Sequence, residues 1–330
     1  MLGSRILGLG HHVPDRVVTN DDLAVFLSTT DEWIQKRTGI VERRWVEGDV
    51  GPAELAVPAV EEALAEAGLP CSEVDLIIFA TLSPDVFFPG SGCLLQDRLG
   101  LNGVPALDIR TQCTGFLYGL QIADAHIRSG LARHVLVVGS EVHSSGLEMS
   151  DRGRDVTVIF GDGAGAAVVG PTDGDRRILG HELHADGAYV EILKLEAPAS
   201  RRNPRLTHEM LSEGLHFPHM EGRAVFKMAV RLLPEVILSL LETHEVRLDE
   251  LDLLVPHQAN LRINEAVCRR MELDPARVFH NIQRYGNTTA ASIPIALHEA
   301  VQQGRVRDGD LVCLAALGAG MTWGATLLRW

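Results

Sequence analysis

Three side chains in this 330-residue sequence have settings suited to covalent chemistry, and the first is Cys113. Pro105 to Ile109 reads as a short apolar strand. From Thr114 onward, Phe116, Leu120, Ala123 and Ile127 recur at helical spacing, so Cys113 falls at the join. A thiol there meets the positive end of a helix dipole and a row of unpaired backbone N–H groups. Such a setting lowers the thiol pKa and supplies thiolate, the nucleophilic form. A free cysteine is also commonly a small buried apolar residue, so its weight depends on a partner elsewhere. The second half of the chain offers partners. Val255–Asn260 places His257 just beyond an apolar strand, and Arg284–Ser292 places Asn287 after a glycine, at the entrance to a helix through Pro294 and Leu297. Leu317–Gly324 reads as a tight glycine turn whose N–H groups can face a ligand. Each has an ordinary reading: a buried histidine with its needs met, a common Gly-Asn turn, a glycine-rich turn. Together they fit a thiol nucleophile served by hydrogen-bond donors.

The elements that must position them follow from pattern. Ser4–Leu9 is an expected strand, and Thr19 or Asn20 caps a helix start. Pro52–Gly68 is an amphipathic helix closed by Gly68, and Val74–Ala80 is a buried strand too short and β-branched for a helix. Phe87 and Phe88 lie in a loop between prolines, packed either on the core beneath or on a second subunit. The helix after Cys113 ends near Ser129–Gly130, and His134–Gly139 is the next strand. The glycine-rich run Phe160–Val169 lacks the lysine and order of a phosphate loop, which points to close backbone packing near a reactive centre. Ser200–Glu213 reads as a long surface loop, and Val225–Glu245 as a helix that Pro234 kinks or splits. The chain also repeats itself. Glu73–Ala80 matches Glu250–His257, and His134–Ser140 matches Asp310–Gly318, with a seam at Pro171–Asp175. Two similar α/β halves, 1–172 and 173–330, account for the length.

Composition narrows the function classes. The hydrophobic fraction of 46% suits a globular enzyme with a sizeable core. The net charge of −14 argues against nonspecific nucleic-acid binding, which needs a basic face. Cys71, Cys93, Cys113, Cys268 and Cys313 fit neither a disulfide framework nor a zinc site, so no metal is expected and a reducing cytoplasm is. No apolar run approaches the ~20 residues of a membrane span, and the N-terminus lacks a signal peptide's core and cleavage site.

With these residues in view, the chain resembles the β-ketoacyl-acyl-carrier-protein synthase III branch of the thiolase superfamily. The motifs DEWIQKRTGI, QCTGF, VIFGDGAGAAVV, GRAVFK, VPHQANLRI, RYGNTTAAS and GAGMTWGA run in that family's order from end to end. The resemblance implies a five-layered αβαβα fold of two duplicated halves with mixed sheets, and a homodimer. It implies a catalytic set of Cys113, His257 and Asn287. Relatives with two histidines or a second cysteine belong to other branches. It also implies an oxyanion hole from the backbone N–H groups of Cys113 and Ala319. By the same matching Trp33, Arg37 and Arg154 clamp coenzyme A, with Arg154 preferred over Arg152 by its ungapped distance to Phe160. Phe160, Gly222, Phe226, Ala259 and Asn260 contribute to the substrate path. Lys227, Gln258 and Arg262 receive an acyl-carrier protein, and Phe88 reaches the partner subunit's acyl pocket. The implied reaction is a decarboxylative Claisen condensation of an acyl-CoA with malonyl-acyl-carrier protein through a Cys113 acyl-enzyme, initiating fatty acid biosynthesis. Acyl-CoA serves as substrate and no cofactor is expected. The alternative is a specialised acyltransferase or chain-joining condensing enzyme of natural-product biosynthesis. Head-to-head condensing relatives carry a partner glutamate where Phe87 and Phe88 stand here. Intact Cys113, His257 and Asn287 argue against a catalytically silent subunit. Thr114, Arg223, Ala319 and Met321 depart from the family's usual residues and bear on the acyl substrate more than on the reaction.

Overall fold

Uninterrupted apolar runs mark strands covered on both faces, and this chain has them in both halves. The computed structural model describes residues 3–330. Its first sheet contains β1 (Gly3–His12), β2 (Leu76–Ala80), β3 (Ala106–Ile109), β4 (Val135–Glu141) and β5 (Gly163–Thr172), in the spatial order β1-β5-β4-β2-β3. β2 runs parallel to β3 and β4, whereas β5 is antiparallel to both β4 and β1. The second sheet contains β6 (Arg177–Ala185), β7 (Leu253–Pro256), β8 (Leu311–Gly318) and β9 (Thr322–Arg329), in the order β7-β8-β9-β6. β7 and β8 are parallel, and β9 is antiparallel to β8 and β6. The second sheet therefore repeats the β2-β4-β5-β1 part of the first. Even β3 has a trace, because Val278 makes an isolated parallel bridge to Leu254 of β7.

The longer helices are α1 (Asp31–Thr38), α2 (Pro52–Ala67), α3 (Ser91–Arg98), α4 (Gly115–Arg128), α5 (Gly222–Thr243), α6 (Leu261–Met271) and α7 (Ser292–Gln302). Successive strand residues face opposite sides of a sheet, and the core divides accordingly. Ile78 and Val137 of the first sheet join Val255 and Leu314 of the second, with Phe116 and Leu120 of α4 and Ile293 and Leu297 of α7 between them. Ile77, Phe79 and Val138 face the other way, against Ala56 and Ala63 of α2 and Leu95 of α3. Leu254, Cys313 and Leu327 face α5 and α6 through Leu232, Ile237, Ile263 and Val267. The result is five layers, αβαβα, with α4 and α7 in the middle.

Local signals mostly act as their chemistry dictates. Thr19 caps its helix with a reciprocal Asp22 contact, and Gly68 ends α2 in the left-handed conformation at φ 65°. Two expectations change. Pro234 does not split α5, which runs unbroken from Gly222 to Thr243. A mid-helix proline costs about 3 kcal/mol, and burial of Leu232, Leu233, Val236 and Ile237 around it outweighs that. The polar stretch after Ser200 is not wholly irregular, since His208–Ser212 forms a helix capped by Thr207.

Candidate active site

The turn Gln112–Thr114 sits between β3 and α4, in contact with the end of the second sheet and with the turn Thr289–Ala291 ahead of α7. Gln112 has φ 49°, in the left-handed region that a residue with a side chain enters at strain. Thr114 Oγ1 donates to the Thr111 carbonyl at 2.7 Å and meets Thr322 Oγ1 at 2.8 Å. Gly318 leaves room for the cysteine: a β-carbon there would stand 2.9 Å from both Cys113 N and Cβ. Burial and the carboxyl of Glu141 push the Cys113 thiol up to about 12, against the pull of the Cys113 and Ala319 N–H groups. The expected lowering of its pKa is therefore reversed, because the enclosing protein outweighs the helix head. Cys113 rests as a thiol.

His257 follows β7, and its N–H donates to the Ala315 carbonyl of β8 at 2.7 Å. Burial holds its imidazole down to about 3, so the ring is neutral. Nδ1 lies 2.6 Å from Ser292 Oγ at the head of α7, and the buried Nε2 has no partner among the described residues. Asn287 is bridged to Phe160: its N–H donates to the Ile159 carbonyl at 2.9 Å and its carbonyl accepts the Gly161 N–H at 3.1 Å. Its Oδ1 accepts the Thr289 N–H at 2.8 Å. With the oxygen occupied, the Nδ2 end with its two donors is left for a ligand. The site thus offers a thiol, a neutral imidazole nitrogen and an amide donor.

Two further groups here left no pattern in the chain. The buried Glu141, at the end of β4, accepts from Thr81 and Ser83 hydroxyls and from the Leu82, Ser83 and Ala290 N–H groups. Its carboxyl is pushed up to about 7 by burial, which those bonds oppose. His143, held down to about 3 by burial, places Nε2 2.7 Å from Thr289 Oγ1 and lies tilted against Phe160 at 4.7 Å between ring centres. The glycine-rich run packs backbone closely, as its composition predicts. A β-carbon on Gly161 would stand 2.2 Å from the Tyr285 carbonyl oxygen.

At the surface, Arg37 and Arg154 place guanidinium carbons 4.0 and 4.8 Å from the centre of the Trp33 ring. Arg152 turns elsewhere, donating to Glu148 at 2.6 Å and to the Ser212 carbonyl at 3.1 Å. The last carbonyls of α1 accept donors from the head of α6: Arg37 O from Asn260 Nδ2 at 3.1 Å, and Lys36 O from Arg262 Nε at 3.0 Å. Ala259 adjoins this link, while Gly222 opens α5 with Phe226 and Lys227 one turn further on. Gln258 does not belong to a protein-docking surface. It is 1% exposed, its Nε2 donates to the Pro256 and Phe279 carbonyls, and its Oε1 accepts the Asn281 N–H. An amide consumed by buried backbone groups has nothing to offer a partner. Phe88, in contrast, is 77% exposed, so the core-packing alternative for that loop does not hold.

A duplicated five-layered αβαβα architecture, with a cysteine at the head of one middle-layer helix, defines the thiolase-like class of α/β enzyme folds. Residues 107–187 match the family 3-oxoacyl-[acyl-carrier-protein (ACP)] synthase III, and residues 241–330 match that family's C-terminal region. The β-ketoacyl-[acyl-carrier-protein] synthase III of Aquifex aeolicus (strain VF5) is 44% identical over 329 residues, covering 100% of both chains. That of Caldanaerobacter subterraneus subsp. tengcongensis is 41% identical, covering 100% of this chain and 98% of the other. The crystal structure of the Aquifex aeolicus 3-oxoacyl-[acyl-carrier-protein] synthase III superposes with a TM-score of 0.91 over 99% of this chain and 100% of its own. The chain belongs to the β-ketoacyl-[acyl-carrier-protein] synthase III family.

Proposed function

We propose that this enzyme condenses an acyl-CoA with malonyl-acyl-carrier protein, releasing CO₂ and forming 3-oxoacyl-acyl-carrier protein as the first condensation of fatty acid biosynthesis. Family membership supports the reaction class. The observation that carries the mechanism is the pairing of an enclosed thiol with a neutral imidazole and an amide whose outward ends, His257 Nε2 and Asn287 Nδ2, are unclaimed among the described residues.

Cys113 sulfur attacks the acyl thioester carbon. The Cys113 and Ala319 N–H groups, which pull the thiol pKa down, receive the developing oxyanion. The C–S bond to coenzyme A breaks, and the proton lost by Cys113 balances the one its departing thiol takes up. Malonyl thioester then enters, and its C–CO₂ bond breaks. The electron pair moves into an enolate whose thioester oxygen is met by His257 and Asn287. The α-carbon attacks the acyl-enzyme carbonyl, the bond to Cys113 breaks, and the departing thiolate takes a proton from solvent, the one proton the whole cycle consumes.

Trp33, Arg37 and Arg154 hold the nucleotide end of coenzyme A by stacking and charge. Gly222, Phe226, Ala259 and Asn260 guide its pantetheine arm, and Phe160 lines the substrate path. Lys227 and Arg262 present local positive charge to an acidic carrier protein, despite the net charge of −14. The exposed Phe87–Phe88 loop docks a second subunit, with Phe88 entering the partner's acyl pocket. The repeated halves are residues 1–172 and 173–330. The work is cytoplasmic: all five cysteines are free and no helix among the described residues is long and apolar enough to cross a membrane.

Mass spectrometry of the purified protein with a panel of acyl-CoAs tests the assignment. A short or medium acyl group should add to the wild type at Cys113 and be absent from Cys113→Ala. Labelling of Cys113→Ala at full occupancy would overturn the nucleophile. Modification by long chains alone would favour the specialised alternative.

A further inference from the structure

A neutral imidazole carries one proton, and which nitrogen holds it decides whether the other end donates or accepts. For His257 the choice depends on a residue outside the reacting set. Nδ1 lies 2.6 Å from Ser292 Oγ, and the same oxygen accepts the Gln258 N–H at 3.3 Å. Ser292 is 2% exposed, and these are its hydroxyl's only hydrogen-bond partners among the described residues. Gln258 can only donate there. The hydroxyl hydrogen therefore has a single destination, the lone pair of His257 Nδ1. The opposite arrangement, with Nδ1–H donating to Oγ, would strand the serine hydrogen in a dry site and leave Nε2 without one. Position adds a second reason. Ser292 is the first residue of α7, so the imidazole faces the head of an 11-residue helix, where positive charge is disfavoured. Its other ties are also neutral: His257 N–H donates to Ala315 O, and its carbonyl accepts Asn264 Nδ2 at 3.3 Å.

We propose that Ser292 is a positioning residue that locks His257 as the Nε2–H tautomer, so that the unclaimed end of the ring is a donor to the enolate oxygen. The inference rests on the condensing reading above and deepens it. Ser292 touches no substrate. It acts on the decarboxylation and condensation half of the cycle, leaving acyl transfer to Cys113 untouched.

The experiment separates those halves and reads the tautomer directly. In ¹⁵N-histidine-labelled full-length protein, with His257 assigned by its loss in His257→Asn, the wild type should show a protonated Nε2 and a bare Nδ1. Ser292→Ala should show a mixture of tautomers. Ser292→Ala should acylate Cys113 at the wild-type rate, while its condensation kcat falls about 10- to 100-fold with little change in KM for the malonyl substrate. Ser292→Thr, which keeps the hydroxyl, should recover most of that loss. A wild-type His257 protonated on Nδ1, or a Ser292→Ala enzyme condensing at full rate, would overturn the proposal. If Ser292→Ala does not fold, the wild-type spectrum decides alone. A wild type that never acylates Cys113 would remove the condensing reading, while the same spectrum still judges the tautomer.

Discussion

At Cys113 the enclosing protein and Glu141 raise the proton affinity of the sulfur, while two backbone N–H groups lower it, and burial prevails. The free enzyme should therefore be a poor target for alkylation. Iodoacetamide labelling of Cys113 should be slow at pH 7 and still rising at pH 9. Glu141→Gln removes the negative neighbour, which stabilises the thiolate, so labelling at a fixed pH between 8 and 9 should accelerate. An unchanged or slower rate in a folded Glu141→Gln protein would count against the charge argument. Asn287 tests the donor side. Its Oδ1 is claimed by the Thr289 N–H, so Asn287→Asp keeps that contact and puts an acceptor where Nδ2 stood. Condensation should fall about 10²- to 10³-fold with Cys113 acylation retained; equal losses in both half-reactions would contradict the assigned role. Cys113, His257 and Asn287 were legible because reactive side-chain types stand at the joins between apolar and glycine-rich runs. Glu141 and Ser292 were not. A glutamate at a strand end and a serine beside alanines become informative only through partners far away in the chain, such as Leu82 for Glu141 and His257 for Ser292.

The two middle helices begin alike. The turn Gln112–Thr114 precedes α4, and Thr289–Ala291 precedes α7, each opening with a non-glycine residue at φ 49°. Duplication thus places one strained turn from each half face to face, one bearing the thiol and the other flanked by Asn287 and Ser292. Strain of about 1–3 kcal/mol at such a residue persists only where its surroundings over-determine it. Here the surroundings are glycines that admit backbone contact. Gly139 leaves space for the Ala290 carbonyl, and Gly318 for Cys113. A β-carbon at position 318 would press on the cysteine's own backbone. Gly318→Ala should therefore slow acylation about 10- to 100-fold and lower Tm by a few degrees, since overpacking costs about 1–3 kcal/mol. Acylation at the wild-type rate in Gly318→Ala would show that the turn tolerates displacement. Strands and helices were largely readable, because continuous apolar runs and helical spacing follow from coverage on both faces. Pro234 does not split its helix, because burial of an entire helix face outweighs a local break. The strained turns were unreadable, as neither Gln112 nor Thr289 is a residue type that favours positive φ.

Across the molecule, the closed middle layer that shelters the site also sets how stability responds to acid. Burial holds His143 and His257 down to about 3, and His181 and His280 down to about 4. In the unfolded chain a histidine titrates near 6.5. Below about pH 6.5 the unfolded state therefore binds protons that these rings refuse, and stability must fall as pH falls. Each fully engaged ring contributes a slope of up to about 1.4 kcal/mol per pH unit. Glu141 acts in the opposite sense. Its folded value of about 7 lies above the ordinary 4.5, so it keeps a proton that the unfolded chain has lost. Its contribution is fullest below 4.5 and disappears as pH rises through 7. Burial also lowers His11 and raises Asp162, so between pH 5 and 6 five histidines oppose two carboxyls, and the histidines set the sign. Calorimetric Tm should be highest near neutral pH and drop steeply between pH 6 and 5, although the three groups named for catalysis carry no charge in that range. His257→Asn removes one proton acceptor from the unfolded state and should make the acid limb shallower. A Tm that stays level to pH 5, or an equally steep limb in His257→Asn, would mean that these rings are not held neutral by the fold.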